Sequence, residues 1–536
     1  MLENDTCVGA GSRLSGLSAL AAGRRIPDNE MWEGSPAQLI DARREAMPPR
    51  PKVGFVQRAI QVAFFVIASL SVAVLFFMPL FPCFMLIDWM DVRLWNLYEN
   101  EAQPLIAFVV FFLLAIPAGA LLVTITILLA SGFKRLLLPR QASGIFSVYG
   151  VTYCRTWLVA RILDGSLGVL HGLYASVFVP TWLRLMGARV GHGSEVSTAT
   201  GIVPDLLRLG DHCFIADGVM LGDEEQRGGW KALRQTNIGS RSFVGNGAYV
   251  ADGAMVPDDV LIGVQTRTPE NTMLCSGQTW MGSPPILLPA RECIGGFDER
   301  LTLYPSRLRW LGRAVVEGLR TVFPLAFAIA SGYLIVQMVM PLAGDEKWLG
   351  TFLSLALAGC LYGVSSFCFV LALKWLLVGR YRPRAAPIWT PFVWLSEAVT
   401  NLYESVAVPN VLDFLCGTPI LPYALRLLGA RIGRGVYLNT TDVTEFDCVQ
   451  IGDEAELNAW CGPQTHLFED RVMKIGMVEI GARVSIGACS TILYDTRIGD
   501  GVHLGPLTLV AKGERLPANT RWEGTPASPI YTQRHK

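Results

Sequence analysis

A beat of one aliphatic residue every six positions constrains this chain more than any other feature. It runs Ile480, Ile486, Ile492, Ile498, Leu504, Val510, Leu516 and then Trp522. An earlier run is Ile238, Val244, Val250, Val256 and Ile262, with the beat falling again on Trp280, and the amino terminus carries Val8, Leu14, Leu20, Ile26 and Trp32. Small residues follow many beats (Gly9, Gly239, Gly245, Gly263, Gly481, Gly487, Gly499, Gly505), because a chain with this period must turn a tight corner at every sixth position. Three such faces close one triangular coil, with the beat residues stacked inside; the pattern predicts tandem left-handed parallel β-helix domains. Each run stops on one signature: Trp32-Glu33-Gly34-Ser35-Pro36, Trp280-Met281-Gly282-Ser283-Pro284 and Trp522-Glu523-Gly524-Thr525-Pro526.

A longer repeat contains the short one. Gly187-Ala188-Arg189-Val190-Gly191 returns as Gly429-Ala430-Arg431-Ile432-Gly433, and Gly282 returns as Gly524, both 242 residues later. The amino-terminal run matches the last at an offset of 490: Asp5-Thr6 with Asp495-Thr496, Arg25 with Arg515, Trp32 with Trp522. Three prisms are expected, at 1–41, 187–290 and 429–536. Since Met1 falls inside the first, and an open end of stacked coils leaves backbone groups unpaired, the chain reads as the carboxy-terminal piece of something longer.

Between the prisms the composition changes. The 536 residues are 51% hydrophobic and only 17% charged, and the apolar surplus lies in 53–81, 104–131, about 315–343 and about 349–378, each long enough for a bilayer-spanning helix. Two transmembrane helix pairs are therefore expected within 42–145 and 291–385, alternating with the prisms. The flanks facing a prism are basic (Arg43, Arg44, Arg50, Lys52; Lys134, Arg135, Arg140; Arg300, Arg307, Arg309, Arg313; Lys374, Arg380, Arg382, Arg384). The opposite ends hold Asp88, Asp91, Glu99, Glu101, Asp345 and Glu346, with the single Lys347. The excess of basic residues puts the prisms in the cytoplasm. After each pair comes an aromatic stretch broken by prolines, 146–186 and 386–428, expected either to lie at the membrane interface or to pack as a helical cap. The twelve cysteines include no Cys-x-x-Cys pair, which argues against a zinc site or disulfide framework. A net charge of zero without a basic stripe argues against nucleic acid.

Coils of a solenoid are scaffold, so chemistry is sought where the beat is interrupted. The second prism breaks at Asp223-Glu224-Glu225-Gln226-Arg227-Gly228-Gly229-Trp230, the third at Gln464-Thr465-His466-Leu467-Phe468-Glu469-Asp470-Arg471-Val472-Met473-Lys474. Equal offsets set His466 opposite Glu224, and only the later loop has a histidine. Imidazole is the side chain best suited to accept a proton at neutral pH. The expected site is His466 as base, Glu469 and Asp470 orienting its ring, and Arg471 and Lys474 holding an anion, with Glu224, Arg227 and Trp230 shaping the substrate path. His212, beside Asp211, is the weaker alternative, and no metal is expected.

A helix pair, an aromatic segment and a hexapeptide prism, repeated, with the Gly-Ala-Arg-[Val/Ile]-Gly motif and the Thr465 to Lys474 segment, resemble the membrane-embedded part of the Pls/PosA family of nonribosomal peptide synthetases, the ε-poly-L-lysine synthetase type. The resemblance covers essentially the whole chain. It implies amide or isopeptide bonds formed from a phosphopantetheine-linked aminoacyl thioester, adenylation and carrier domains upstream or in trans, a free amino acid or growing chain as acceptor, and a place in the bacterial inner membrane. The sequence departs from that pattern in having no adenylation core, no Gly-Gly-x-Ser carrier site, one helix pair fewer and a short first prism. Two further readings stay open: a membrane acyltransferase using acyl-CoA on a glycan or lipid, and a non-catalytic assembly or export module.

Overall fold

The computed structural model describes residues 1–40, 47–96, 103–269, 273–290, 296–339 and 348–530. Of the residues singled out above, Arg43, Arg44, Glu99, Glu101, Asp345, Glu346 and Lys347 lie outside these.

The six-residue beat becomes short parallel strands that pair one coil apart. In the third prism Ile480 pairs in register with Ile498 and Ile498 with Leu516, steps of 18 residues or three hexads. Ile451 pairs with Ile480 across 29 residues, because an insertion interrupts that coil. Three parallel sheets result, one per face. The second prism repeats the plan, with Leu209, Ile238 and Val256 on one face and Ile215, Val244, Ile262 and Trp280 on another. In the first, Val8 pairs with Ile26 and Leu14 with Trp32. Beat residues of the second and third prisms form their cores.

The run-ending signature has a role that its place in the sequence does not reveal. Ser35 N–H donates to Ser283 O (2.8 Å), Ser283 N–H to Thr525 O (2.9 Å) and Thr525 N–H to Ser35 O (3.1 Å). This closed cycle of backbone bonds sets the three prisms around a pseudo-threefold axis. The preceding glycines Gly34, Gly282 and Gly524 have φ of +101°, +100° and +104°. A Cβ at Gly282 would stand 2.6 Å from Thr525 O of the neighbouring prism, so glycine is required by both conformation and approach.

Four helical stretches are long and apolar enough to cross a membrane: Phe55–Leu94, Leu105–Leu137, Glu299–Gln337 and Trp348–Leu377. They comprise α1 (Phe55–Phe77) and α2 (Leu80–Leu94), α3 (Pro104–Leu137), the short α6 (Glu299–Thr302) with α7 (Arg307–Val339), and α8 (Trp348–Leu377). Between the second and third of these stretches come α4 (Val151–Leu170) and α5 (Val179–Met186). Asp88 and Asp91, expected in a polar loop, belong to α2, and Asp91 is buried.

Some of the basic flank residues do more than mark a membrane side. Lys134 at the end of α3 is buried against Asp205 of the second prism (2.7 Å), and Lys374 of α8 pairs in the same way with Asp447 of the third (2.8 Å). The aromatic segments cap the prisms: Trp182, Leu183 and Met186 of α5 join the second core, and Leu421, Leu425 and Leu428 join the third. The later segment consists of α9 (Pro391–Leu402), a π-helical stretch Tyr403–Leu412 and α10 (Ile420–Leu428).

Candidate functional site

The two interruptions of the beat are β-hairpins rather than loops. His466–Glu469 pairs antiparallel with Val472–Ile475, and a third strand, Arg384–Pro387, arriving from α8, completes the sheet. In the second prism Glu225–Arg227, Trp230–Leu233 and Gly144–Ser147 form the same arrangement. The two hairpins share their register at the 242-residue offset, so Glu224 does occupy the place of His466.

The later hairpin leaves the third prism and docks on the second. Arg471 at its turn donates to Gly193 O (2.5 Å) and lies 3.7 Å from Glu195. Glu195 in turn receives both terminal nitrogens of Arg313 from α7 (2.9 and 2.8 Å), and Arg313 Nε donates to Glu317 (2.6 Å). His466 is thereby held in a cavity of about 40 Å³ between the two prisms, α7 and α9, lined also by Ser197, Phe214, Asp217, Trp394, Glu397 and Phe468.

His466 is buried, and its Nδ1 lies 2.7 Å from Glu445 Oε2, which also accepts from Thr465 Oγ1 (2.6 Å). Nδ1 carries the proton in the neutral ring, since its partner is a carboxylate, so Nε2 is left as the basic atom toward the cavity. Burial alone would lower the imidazole pKa, but the Glu445 carboxylate, with Glu397 and Asp217 behind it, raises it to about 9. Burial would raise the Glu445 carboxyl, yet the charge of His466 and the hydrogen bonds hold it below its ordinary value.

Two more carboxylates line this cavity, Asp217 of the second prism and Glu397 of α9, and the charges of Glu404 of the π-helical stretch and Asp442 of the third prism are felt from beyond its lining. Asp217 accepts from Ser197 and Thr198. Burial and neighbouring negative charge raise Glu397 to about 7, Glu404 to about 8 and Asp442 to about 6, with His466 opposing the shift at Glu397 and Asp442. Glu404 and Asp442 still keep some contact with solvent.

The remaining expected residues have other partners. Glu469 pairs with Lys474 (2.7 Å) and Lys512 (2.6 Å), Asp470 sits in the hairpin turn at φ +46°, and both line the cleft on the other face of the hairpin rather than the His466 cavity. Their proposed orienting role passes to Glu445, which lies one coil away. Arg471 is a docking residue, its charge taken by Glu195, and Lys474 is engaged by Glu469, so neither is an open anion holder. Glu224 pairs with Lys231 (2.5 Å), Arg227 lies 3.8 Å from Glu225, and Trp230 donates to Pro49 O (3.0 Å); all three are away from the His466 cavity. His212 stacks edge-on to His192 and Tyr304, and burial together with Arg471 lowers its pKa. Glu445 was detectable in the duplication: Asp442, Glu445 and His466 stand where the earlier unit has Thr200, Val203 and Glu224.

On the other face of the hairpin is a second, mostly apolar cleft of about 270 Å³, lined by Leu261, Val264, Trp280, Met281, Leu493 and Lys512. It shares Leu467 and Phe468 with the His466 cavity.

No family model matches the chain. Among solved structures, a maltose O-acetyltransferase from Clostridium difficile 630 aligns with 31% of this chain and 86% of its own (16% identity, TM-score 0.17). A soybean serine acetyltransferase complexed with serine aligns with 42% of this chain and 100% of its own (17% identity, TM-score 0.17). A delta-poly-L-ornithine synthetase of Acinetobacter baumannii is 50% identical over 531 residues, 99% of this chain; the chain spans 40% of that relative's length. Along nearly its whole length, then, this chain is related to one stretch of a Pls/PosA-type homopoly(amino acid) synthetase, in keeping with its repeated helix pair, aromatic segment and hexapeptide prism.

Proposed function

We propose that the chain is a membrane-bound condensing acyltransferase module, joining a carrier-bound aminoacyl thioester to an amine acceptor in nonribosomal homopoly(amino acid) synthesis. The observation that carries this reading is the His466–Glu445 pair at a cavity between two prisms, with Nε2 unoccupied by any described residue. A neutral amine attacks the thioester carbonyl, and the C–N bond forms as the C–S bond breaks. Nε2 takes the proton that the nitrogen sheds and returns it to the departing thiolate. Glu445 holds the ring and stabilises the imidazolium. The apolar cleft behind Leu467 and Phe468 suits the uncharged arm of a phosphopantetheine-linked donor, and the acidic cleft suits a cationic diamino acid such as ornithine or a growing chain of it. Adenylation and carrier domains, in cis or in trans, supply the donor. The coils are taken as left-handed in this reading.

Because His466 titrates at about 9 with its carboxylate neighbours, it is protonated in the free site at neutral pH. The expected result is a kcat/KM for amide formation that rises with pH until about 9, measured with the membrane-reconstituted chain and an aminoacylated carrier protein. Glu445→Gln removes the charge that raises the ring, so its rise falls at lower pH, with a lower plateau. A profile flat from pH 6 to 9 in the wild-type protein would exclude His466 as the base.

In this reading the prisms and both sides of the site lie in the cytoplasm, on the inner membrane, which the basic flanks support. A single cysteine at Asn96 is expected to react with an impermeant reagent from outside the cell, and one at Arg140 only after permeabilisation. The reverse pattern would invert the topology.

A further inference from the structure

We infer that the buried chain of alternating charges Arg471–Glu195–Arg313–Glu317 is a latch by which helix α7 holds the His466 hairpin in place, so that Glu195 and Arg313 are positioning residues for His466. What the latch does for catalysis rests on the condensing function proposed above, whereas the docking itself is independent of it. The four side chains come from the hairpin turn, the second prism and, twice, α7, and none is more than 12% exposed. Glu195 is the shared link: it takes both terminal nitrogens of Arg313 in a two-pronged pair and faces Arg471 from the other side. Glu317 closes the chain, with one oxygen on Arg313 Nε and the other accepting from Val177 N–H (2.8 Å) of the second unit's cap. The turn and α7 meet a second time, because Arg471 O accepts from Ile388 N–H (2.9 Å) and the ring of the adjacent Trp389 lies 4.6 Å from the Arg313 guanidinium.

Attraction between the hairpin and the second prism has another source. Phe468 lies 5.5 Å from Phe214, which stacks on Phe243, and such apolar contact holds without dictating an exact placement. Four buried charges lose in desolvation much of what they return in attraction, so their yield is a fixed geometry more than stability. That geometry matters at the cavity, because Glu195, Arg313 and Glu317 form part of the same wall as His466. The duplication points the same way. At the 242-residue offset Glu195 and Arg471 correspond to Tyr437 and Gly229, and the second prism's hairpin, with Gly229 at its turn, packs beside Pro51 and Tyr149 instead. The latch thus belongs to the hairpin that carries the histidine and is missing from the one that does not.

The test is hydrogen–deuterium exchange of the detergent-solubilised full chain, read by mass spectrometry. In Glu195→Gln, and in Arg313→Gln, which leaves two carboxylates facing each other, amides of 466–475 are expected to exchange about tenfold faster than in the wild type. The matching hairpin 225–233 and the third-prism strands within 478–516 should be unchanged. Unaltered hairpin exchange in Glu195→Gln overturns the latch, and unaltered exchange in Arg313→Gln overturns the part assigned to α7. A rise that spreads equally through 478–516 marks a general loss of stability and also overturns it. With an aminoacylated carrier protein, Arg471→Met should lower kcat by about 10²-fold, the scale of a misplacement of about 1 Å, with KM within about threefold, and Arg471→Lys should recover part of the loss. An unchanged kcat in Arg471→Met overturns the positioning of His466. A wild-type chain that forms no amide counts against the condensing function alone, because the exchange result still decides the latch.

Discussion

His466→Ala is expected to lower amide formation by about 10²–10⁴-fold, the range that loss of a general base usually costs. Thermal unfolding should change little by comparison. The ring lies at the start of a hairpin strand held by backbone pairing with Ile475 and by the docking of Arg471, not by the imidazole alone. Glu224→Ala, at the matching place of the second prism, should cost less than threefold, because Glu224 is engaged by Lys231 and has no contact with the reacting cavity. Rates measured with an aminoacylated carrier protein would decide this; a His466→Ala enzyme within threefold of wild type would move the base elsewhere.

The second large effect concerns folding. From the beat alone Gly487 and Gly505 appear equivalent, and Leu467 appears a tolerant loop position. The structure separates all three. A Cβ at Gly487 would stand 2.5 Å from Pro506 N and 2.6 Å from Gly505 C, backbone atoms of the next coil that cannot swing aside. At Gly505 the nearest atom is the Glu523 Cβ at 3.2 Å. Leu467 is buried with Val264, Leu493, Tyr494 and Leu509. Gly487→Val is therefore expected to destabilise the third prism at or above the upper end of the ~1–3 kcal/mol typical of overpacking. Gly505→Val should cost clearly less, and Leu467→Ala about 2–5 kcal/mol through the cavity it leaves. Melting of the three variants in detergent is the measurement, and a Gly487→Val protein as stable as Gly505→Val would contradict the packing described here.

The cores were legible because each relies on a short period: Ile480, Ile486 and Ile492 point inward every sixth residue, and the membrane helices are long and almost uncharged. Contacts between periods were not. The Trp-x-Gly-[Ser/Thr]-Pro signature reads as a stop, whereas its serines and threonine join three prisms that are hundreds of residues apart in the chain. The same limit explains the misassigned partner of His466. Glu469 and Asp470 are the nearest acids to His466 in sequence, but in a coiled solenoid the neighbour in space lies about one coil back. Glu445 precedes His466 by 21 residues, as Thr444 precedes Thr465. Likewise the basic flanks Lys134, Arg313 and Lys374 read as membrane-side markers, although each also pairs with a prism carboxylate. Comparing the duplicated units position by position carries more of the site than local spacing does. At Asp442, Glu445 and His466 one copy carries titratable groups where the other has Thr200, Val203 and Glu224.

The central claim is that His466 and Glu445 act as one unit across the coil, and a double-mutant cycle on single-turnover amide formation tests it most directly. Glu445→Gln alone should lower the rate by at least tenfold, and the same change in a His466→Ala background should lower it by less than about twofold, because the carboxylate then has no ring to orient. Equal losses from Glu445→Gln in both backgrounds would show that the two residues act independently and would contradict the account.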